Sequence, residues 1–243
     1  MSDRTVFAIT GSDRVSFLDG LVTNTVPNEP GQIAYAALLT PQGKFIADFF
    51  IVAEADRLLL DVAQSHAAPL NQRLSMYRLR ADVQIEPTDL IVSRGLEEPP
   101  TGALADPRGA PLGWRLYGTD DVSQAVLWDD VRVANSIPET GTELGPDTYI
   151  LEAGFERLNG VNFKKGCFVG QEIVARMKHK TELRKGIVQV RIDGTAAAGD
   201  EITKDGKPVG TLHTVSGNAG LAFLRFDRAE GEMTAGDATI TRV

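Results

Sequence analysis

The residue with the clearest chemical potential is Cys167, the single cysteine among 243 residues. It follows Lys164 and Lys165 and precedes a segment, 170–178, that we predict to be a short helix. Adjacent ammonium groups and the positive end of a helix dipole both favour the thiolate, the form that attacks electrophiles and binds metals. The residues therefore indicate a functional thiol. The competing interpretation is a small buried apolar residue without a chemical role.

A second candidate is Asp48, which interrupts the apolar strand predicted over 45–53. A carboxylate in such a strand is costly unless it is paired, lines a cavity or faces solvent. Two placements follow: the solvent-facing side of the sheet, or a buried position as an acceptor for a heterocycle rich in N–H groups. Asp48 is also the candidate for a catalytic carboxylate.

The sequence gives little support for a zinc site, an iron–sulfur site of its own, a Cys–His catalytic pair or a nucleotide site. His66, His179 and His213 are scattered and, with one cysteine, lack the spacing of a zinc site. An iron–sulfur cluster usually takes four cysteines, so Cys167 could only be one ligand of a shared cluster or a transfer point. A catalytic pair of Cys167 with His179 is disfavoured by the intervening helix. We therefore predict no metal site formed by this chain alone. We find no phosphate-binding loop and no dinucleotide fingerprint, which disfavours nucleotide hydrolysis and dinucleotide redox chemistry.

The charge is distributed unevenly. A net charge of −8 argues against direct nucleic-acid binding and against general membrane binding. The segment 164–185 nevertheless holds seven Lys or Arg and two Asp or Glu. It is either a site for an anionic molecule or partner, or a solvated outer face. One cysteine excludes an internal disulfide and predicts a reducing compartment, for which we predict the cytoplasm; the apolar runs are too short to cross a bilayer.

The elements that must position these residues form an α+β chain. We predict an antiparallel meander, a helix over 65–78, a weaker helix over 121–135 and a series of short C-terminal strands. The predicted strands, of which the first three form the meander, are 33–39, 45–53, 58–62, 81–86, 90–93, 112–117, 185–192, 209–215, 220–226 and 238–243. A hairpin turn is predicted at Asp205-Gly206. These strands after residue 181 predict a small barrel, so we divide the chain into domains 1–180 and 181–243, with a possible break between subdomains near 95–111.

The segment Lys165–Glu172, with the sequence KGCFVGQE, resembles the K-G-C-[YF]-x-G-Q-E signature of the YgfZ-type folate-binding proteins. These are relatives of the glycine-cleavage T-protein, an aminomethyltransferase. Weaker similarities extend the resemblance over nearly the whole chain, at Phe17–Asn24, Ala37–Lys44, Arg132 with Ile137-Pro138, Leu151–Ala153, Gly206–Gly210 and Leu221–Leu224.

The resemblance implies an aminomethyltransferase-like folate-binding region of antiparallel sheets with helices, followed by a small C-terminal β-barrel. It implies binding of tetrahydrofolate or a one-carbon derivative, and a role with client or assembly proteins of iron–sulfur clusters, including enzymes that modify tRNA. By position, Asp48 would contact the pterin and Arg132 would lie near the ligand. The resemblance also places cations and residues of the first turn of the 170–178 helix beside the folate tail and the thiol. These residues are Lys164, Lys165, Gln171, Glu172 and Arg176.

One departure bears on the reaction. The T-protein pattern G-[YF]-x-G-E-x-G-[FY]-E is absent, and Pro111–Leu116 stands roughly in its place. We therefore expect a tetrahydrofolate-binding accessory protein of iron–sulfur cluster assembly or repair rather than a conventional enzyme. The alternatives are a folate-dependent aminomethyl- or methyltransferase, and a non-catalytic module that docks a partner through the basic segment.

Overall fold

The computed structural model describes residues 3–180 and 182–243, which form two compact units. The first contains the chain up to Val126 together with Phe155–Ala175, and the second contains Leu127–Gly154 and Arg176–Val243. The domain boundary predicted near Thr181 falls on a residue outside the described part of the chain and stays a prediction.

The first unit contains two antiparallel sheets. The described strands of the larger sheet are β1 (Arg4–Thr10), β2 (Ile33–Leu39), β3 (Phe45–Ala53), β4 (Leu58–Ala63) and β5 (Gln84–Pro87), in the order β2-β3-β4-β1-β5. Those of the smaller sheet are β6 (Ile91–Gly95), β7 (Leu104–Ala105) and β8 (Trp114–Gly118), in the order β6-β8-β7. The helices of this unit are α1 (Arg14–Asp19), α2 (Gln64–Arg78) and a short 3₁₀ helix, Ala110–Leu112.

Strand β3 is covered on both of its faces. All of its residues except Ile46 are buried, as expected for a strand with a continuous apolar sequence. One face, with Phe49 and Ile51, packs with Leu70 of α2 in the main core. The alternate residues of β3 belong to the other face, where Val52 packs with Val92 of β6. Asp48 and Phe50 lie on this second face because side chains alternate along a strand.

The second unit is built around a closed barrel. Its described elements are α3 (Trp128–Ala134), the C-terminal half of α4 (Gln171–Lys180) and six strands, β9 (Lys185–Asp193), β10 (Glu201–Lys204), β11 (Lys207–Ser216), β12 (Ala219–Arg225), β13 (Glu232–Ala235) and β14 (Ala238–Arg242). The strand order is β10-β11-β12-β9-β14-β13. The predicted hairpin turn joins β10 to β11, and its residues Asp205 and Gly206 have φ values of 51° and 71°. Two positive φ angles are what a tight two-residue hairpin turn requires.

Two sequence expectations differ from the structure. The helix predicted over 121–135 is present only as α3, because Gln124 is drawn into contacts with the smaller sheet. Its backbone N–H donates to the Arg94 carbonyl and its side-chain oxygen accepts from the N–H of Leu96. Residues 95–111, where a break between subdomains was considered, instead connect strands of that sheet inside the first unit.

Candidate functional site

The cysteine loop, residues 164–171, presents the thiol at the surface. Cys167 is exposed, which excludes the interpretation that it is a buried apolar residue. Its neighbour Phe168 is 6% exposed, and Val169 packs against the main core of the first unit. The loop is therefore anchored by the two apolar residues that follow the cysteine, while the sulfur itself remains accessible.

Lys165 fixes the loop to the end of α1. Its ammonium donates to the carbonyl oxygens of Asp19, Val22 and Asn24, at 2.6, 2.8 and 3.1 Å. Burial lowers the pKa of Lys165, and the nearby Asp19 carboxylate opposes that shift. Three ammonium hydrogens meet three backbone acceptors, so Lys165 has a structural role here. The predicted role of Lys165 in tuning the thiol or holding the folate tail stays a prediction.

The segment before the cysteine is bound to the same region. The Thr23 hydroxyl donates to the Gly160 carbonyl at 2.7 Å, and the Asn24 amide donates to the Asn159 carbonyl at 2.7 Å. The Asn162 backbone N–H donates to the Thr23 carbonyl at 3.0 Å, and its side-chain oxygen accepts from the Lys164 N–H at 2.8 Å. These contacts give Thr23 and Asn24, the end of the Phe17–Asn24 motif, a physical role in holding the cysteine segment.

Two glycines let the loop approach the β2–β3 hairpin. Gly170 has a φ of +83°, and a Cβ there would lie 2.7 Å from the Thr40 carbonyl oxygen and 3.1 Å from the Gly43 Cα. Gly43 has a φ of +74°, and a Cβ there would lie 2.9 Å from the Ile173 Cβ. Both positions need glycine for the backbone conformation and for the space, so the loop and the hairpin turn are in direct backbone contact.

The other predicted residues of this region are mostly exposed. Lys164 and Glu172 are exposed, and the Gln171 amide donates to the Gly166 carbonyl at 3.4 Å. Arg176 is exposed and belongs to the second compact unit. Their predicted roles in binding a folate stay predictions.

Asp48 is buried, with 5% of its surface exposed, so it does not face solvent. It lies opposite Ala37 of β2, and it accepts a hydrogen bond of 2.9 Å from the hydroxyl of Tyr35. Tyr35 is fully buried, and its ring stacks on Phe155 with centroids 5.1 Å apart. The buried acceptor of the two predicted placements is therefore the one observed.

A buried ionic cluster on the same face of the sheet was not found from the sequence. The described members of this arginine cluster are Arg4, Asp61, Asp106, Arg108 and Arg115. The Asp61 carboxylate accepts from Arg4 Nε at 2.7 Å and from Arg115 Nη2 at 2.6 Å. Asp106 accepts from both Nε and Nη2 of Arg108, at 3.0 and 2.9 Å. Charged residues inside the short apolar strands of Asp61 and Arg115 were the available signal, by the reasoning applied to Asp48.

The arginine cluster surrounds the ring of Phe50. The guanidinium carbons of Arg115, Arg108 and Arg4 lie 3.7, 4.9 and 5.6 Å from its centroid. Burial raises the pKa of Asp61, but Arg4 and Arg115 outweigh it and lower that pKa to about 2. Burial acts to lower the pKa of Arg115, and Asp61 outweighs it and raises the pKa. The cluster is therefore ionised at neutral pH, with attraction between its members offsetting the cost of burial.

Arg132 lies in the second unit and is engaged there. Its Nη1 donates to the Ile137 carbonyl at 3.1 Å and to the Glu143 carboxylate at 3.0 Å. Its Nη2 donates to Asp129 at 2.9 Å and to the Thr214 hydroxyl at 3.0 Å. These contacts tie α3 and the following segment to β11 of the barrel. They account for this buried arginine structurally, and its predicted place near a ligand stays a prediction.

Comparison with known proteins identifies the relatives of this chain. The human (Homo sapiens) protein named "Iron-sulfur cluster assembly factor IBA57, mitochondrial" is 30% identical over 279 residues, which cover 96% of this chain and 78% of that protein. The mouse (Mus musculus) protein of the same name is 30% identical over 281 residues, with the same coverage. The chain belongs to the IBA57 family of iron–sulfur cluster assembly factors.

Two further similarities concern the fold of this IBA57 family member. Residues 184–243 match the family described as the CAF17 C-terminal β-barrel domain. The crystal structure of the glycine cleavage system aminomethyltransferase T from Bartonella henselae superposes with a TM-score of 0.80 at 16% identity, covering all of this chain and 83% of that one. The predicted α+β, aminomethyltransferase-like fold with a C-terminal barrel is thereby confirmed. The finer YgfZ-type assignment is not confirmed by these relatives and stays a prediction.

The predicted cytoplasmic location is wrong, because the IBA57 relatives are named as mitochondrial proteins. The single cysteine indicated a compartment that keeps thiols reduced, and that argument does not distinguish one reducing compartment from another. No helix in residues 3–180 and 182–243 has the length and apolar composition needed to cross a membrane.

The chemistry of Asp48 fits part of a reduced folate. A buried carboxylate is suited to accept hydrogen bonds from the N–H edge of a pterin. For the anionic tail, Lys164 is an exposed cation of the first unit, whereas the ammonium of Lys165 is occupied by backbone carbonyls. Among the residues that the structure describes, no group of three or more histidine, cysteine, aspartate or glutamate side chains is placed to hold a metal ion.

Proposed function

We propose that this protein is an accessory factor of iron–sulfur cluster assembly in which Cys167 binds iron transiently. The observation that carries the proposal is an exposed thiol on a loop fixed by Lys165, by Phe168 and by the contact of Gly170 with the β2–β3 hairpin. A rigid loop with an accessible thiolate presents a ligand without a large entropic cost on binding. Membership of the IBA57 family supplies the class of process.

The chemistry we propose is ligand exchange at iron. The Cys167 thiol loses its proton and its sulfur forms a bond to an iron of the cluster, as a donor's thiolate leaves that iron and takes up the proton. No electron is transferred. Because one thiolate cannot hold a cluster alone, the remaining ligands come from a partner protein that assembles or receives the cluster. The resemblance noted in the sequence adds enzymes that modify tRNA as a class of client.

We further propose that the first unit binds tetrahydrofolate or a one-carbon derivative, with Asp48 accepting from the pterin. Support comes from the burial of this carboxylate, from its hydrogen bond to Tyr35 and from the aromatic rings beside it. The folate would supply or accept a one-carbon unit, or act as a ligand that stabilises the folded unit. Lys164, an exposed cation of the same unit, is the candidate for contact with its glutamate tail.

The role of Cys167 is tested in cells that lack their own copy of this protein. Wild type should restore the activity of iron–sulfur enzymes, and Cys167→Ser and Cys167→Ala should not, although both should accumulate to wild-type levels because an exposed side chain contributes little to stability. Asp56→Asn, an exposed change in the β3–β4 turn, is the control and should restore activity fully. Full restoration by both cysteine variants would defeat the proposed role of the thiol.

The folate proposal is tested by anaerobic calorimetric titration with tetrahydrofolate and with 5-formyltetrahydrofolate. Wild type should bind with a Kd in roughly the micromolar range. Asp48→Asn should weaken binding at least about tenfold, because an amide presents N–H groups where the pterin needs an acceptor. Asp56→Asn should bind as wild type does. An absence of binding by wild type would remove the folate proposal and favour the partner-docking hypothesis.

A further inference from the structure

Arg108 connects the arginine cluster to the side chain that holds Asp48. Its guanidinium carbon lies 4.9 Å from the centroid of Phe50 and 5.4 Å from the centroid of Tyr35. The paired hydrogen bonds from Nε and Nη2 to Asp106 set the plane of the guanidinium, and its side chain is only 8% exposed. Tyr35 in turn donates its hydroxyl hydrogen to Asp48. These contacts form one continuous chain from Asp106 to Asp48.

The geometry of this chain places a cation beside the hydroxyl donor of Asp48. Tyr35 lies between the guanidinium of Arg108 and the carboxylate of Asp48. A cation beside a phenol ring makes its hydroxyl a stronger donor, and the effect is large in a buried environment of low dielectric constant.

We propose that Arg108 is a positioning residue for the folate site, acting through Tyr35 to orient the Asp48 carboxylate towards the pterin. This inference rests on the proposed binding of a reduced folate. Arg108 and Tyr35 need not touch the ligand. Their effect is on the direction of the acceptor, so they should influence the strength of binding.

The test is calorimetric titration of the full chain with 5-formyltetrahydrofolate. Tyr35→Phe removes one oxygen and should weaken binding about tenfold, since the carboxylate loses the donor that orients it.

Two arginine variants separate charge from packing. Arg108→Gln should weaken binding as Tyr35→Phe does, and Arg108→Lys should recover part of the affinity because it restores the cation. Arg57→Gln, which removes a partly exposed arginine paired with Glu54 in the β3–β4 turn, is the matched control and should leave the affinity unchanged. Urea denaturation of each variant identifies any that is unfolded, in which case Tyr35→Phe decides the outcome.

The outcomes distinguish this inference from the proposed function. If wild type binds and Asp48→Asn does not, but Tyr35→Phe retains wild-type affinity, the positioning role is wrong and the folate proposal stands. If wild type does not bind, both are wrong. If Arg108→Lys weakens binding as much as Arg108→Gln does, the cation at residue 108 does not position the acceptor and the inference is also overturned.

Discussion

The cysteine loop is held by backbone carbonyls and close glycine contacts, whereas the arginine cluster is held by buried charged side chains. Both belong to the first compact unit. In the loop, Lys165 and Gly170 are committed to structure, and Cys167 between them is exposed. In the cluster, Asp61 is fully buried and bound by two arginines.

In both regions the reactive group is a different residue from those that hold it in place. A thiol that exchanges ligands with a partner must be accessible, so the loop is anchored by residues on either side of it. An acceptor such as Asp48 needs a fixed direction and charge, which a dry environment with paired charges provides. We therefore expect substitutions in the cluster to act first on stability, and exposed substitutions in the loop to act first on function.

The largest effect should come from Asp61→Asn. This substitution keeps the shape of the side chain but leaves Arg4 and Arg115 buried without their common counter-ion. The free energy of unfolding should therefore fall by about 3–5 kcal/mol. Urea denaturation followed by circular dichroism measures it. Asp56→Asn is the control and should stay within about 0.5 kcal/mol of wild type. A loss below about 1 kcal/mol would mean that Arg4 and Arg115 do not depend on Asp61 for their counter-charge.

Acid should remove part of the same stabilisation. The pKa of Asp61 is lowered from 3.8 to about 2 on folding, so its contribution is fully present above 3.8 and is lost as the pH falls through about 2. A shift of this size corresponds to about 2 kcal/mol. Because other carboxylates also titrate, the measurement is the difference in unfolding free energy between wild type and Asp61→Asn. That difference should shrink between pH 5 and pH 2, and a constant difference would contradict the assignment.

A smaller effect should follow from Gly170→Ala in the cysteine loop. A side chain at φ +83° is strained, and its Cβ would meet the Thr40 carbonyl oxygen at 2.7 Å. We expect a loss of about 1–2 kcal/mol in unfolding free energy, measured by urea denaturation. Gly166→Ala is the matched control, since a Cβ there would have nothing within 4 Å. Equal stability of the two variants would show that the loop is not held by its contact with the hairpin.

Local patterns were sufficient for much of the fold. The apolar runs of β2 and β3 predicted both strands with the bounds that the structure gives. Strands β1, β7, β10 and β13 were missed. The last three have only two to four residues, so their sequences resemble loops until they pair with neighbours, whereas β1 has seven residues and its apolar run was an available signal. The helix prediction was wrong for the residues before α3, because Gln124 makes side-chain and backbone hydrogen bonds to the smaller sheet in place of helical ones.

The sequence by itself determined the meander, the barrel hairpin at Asp205-Gly206 and the cysteine motif, because each depends on neighbouring residues along the chain. Only the tertiary structure decided where the charges point. It directs Lys165 to carbonyls more than 140 positions away, and it joins Asp61 to Arg4 and Arg115 across 57 and 54 positions. Such pairs form when two sheets stack and exclude water, and no local period encodes which charged side chains will then face each other.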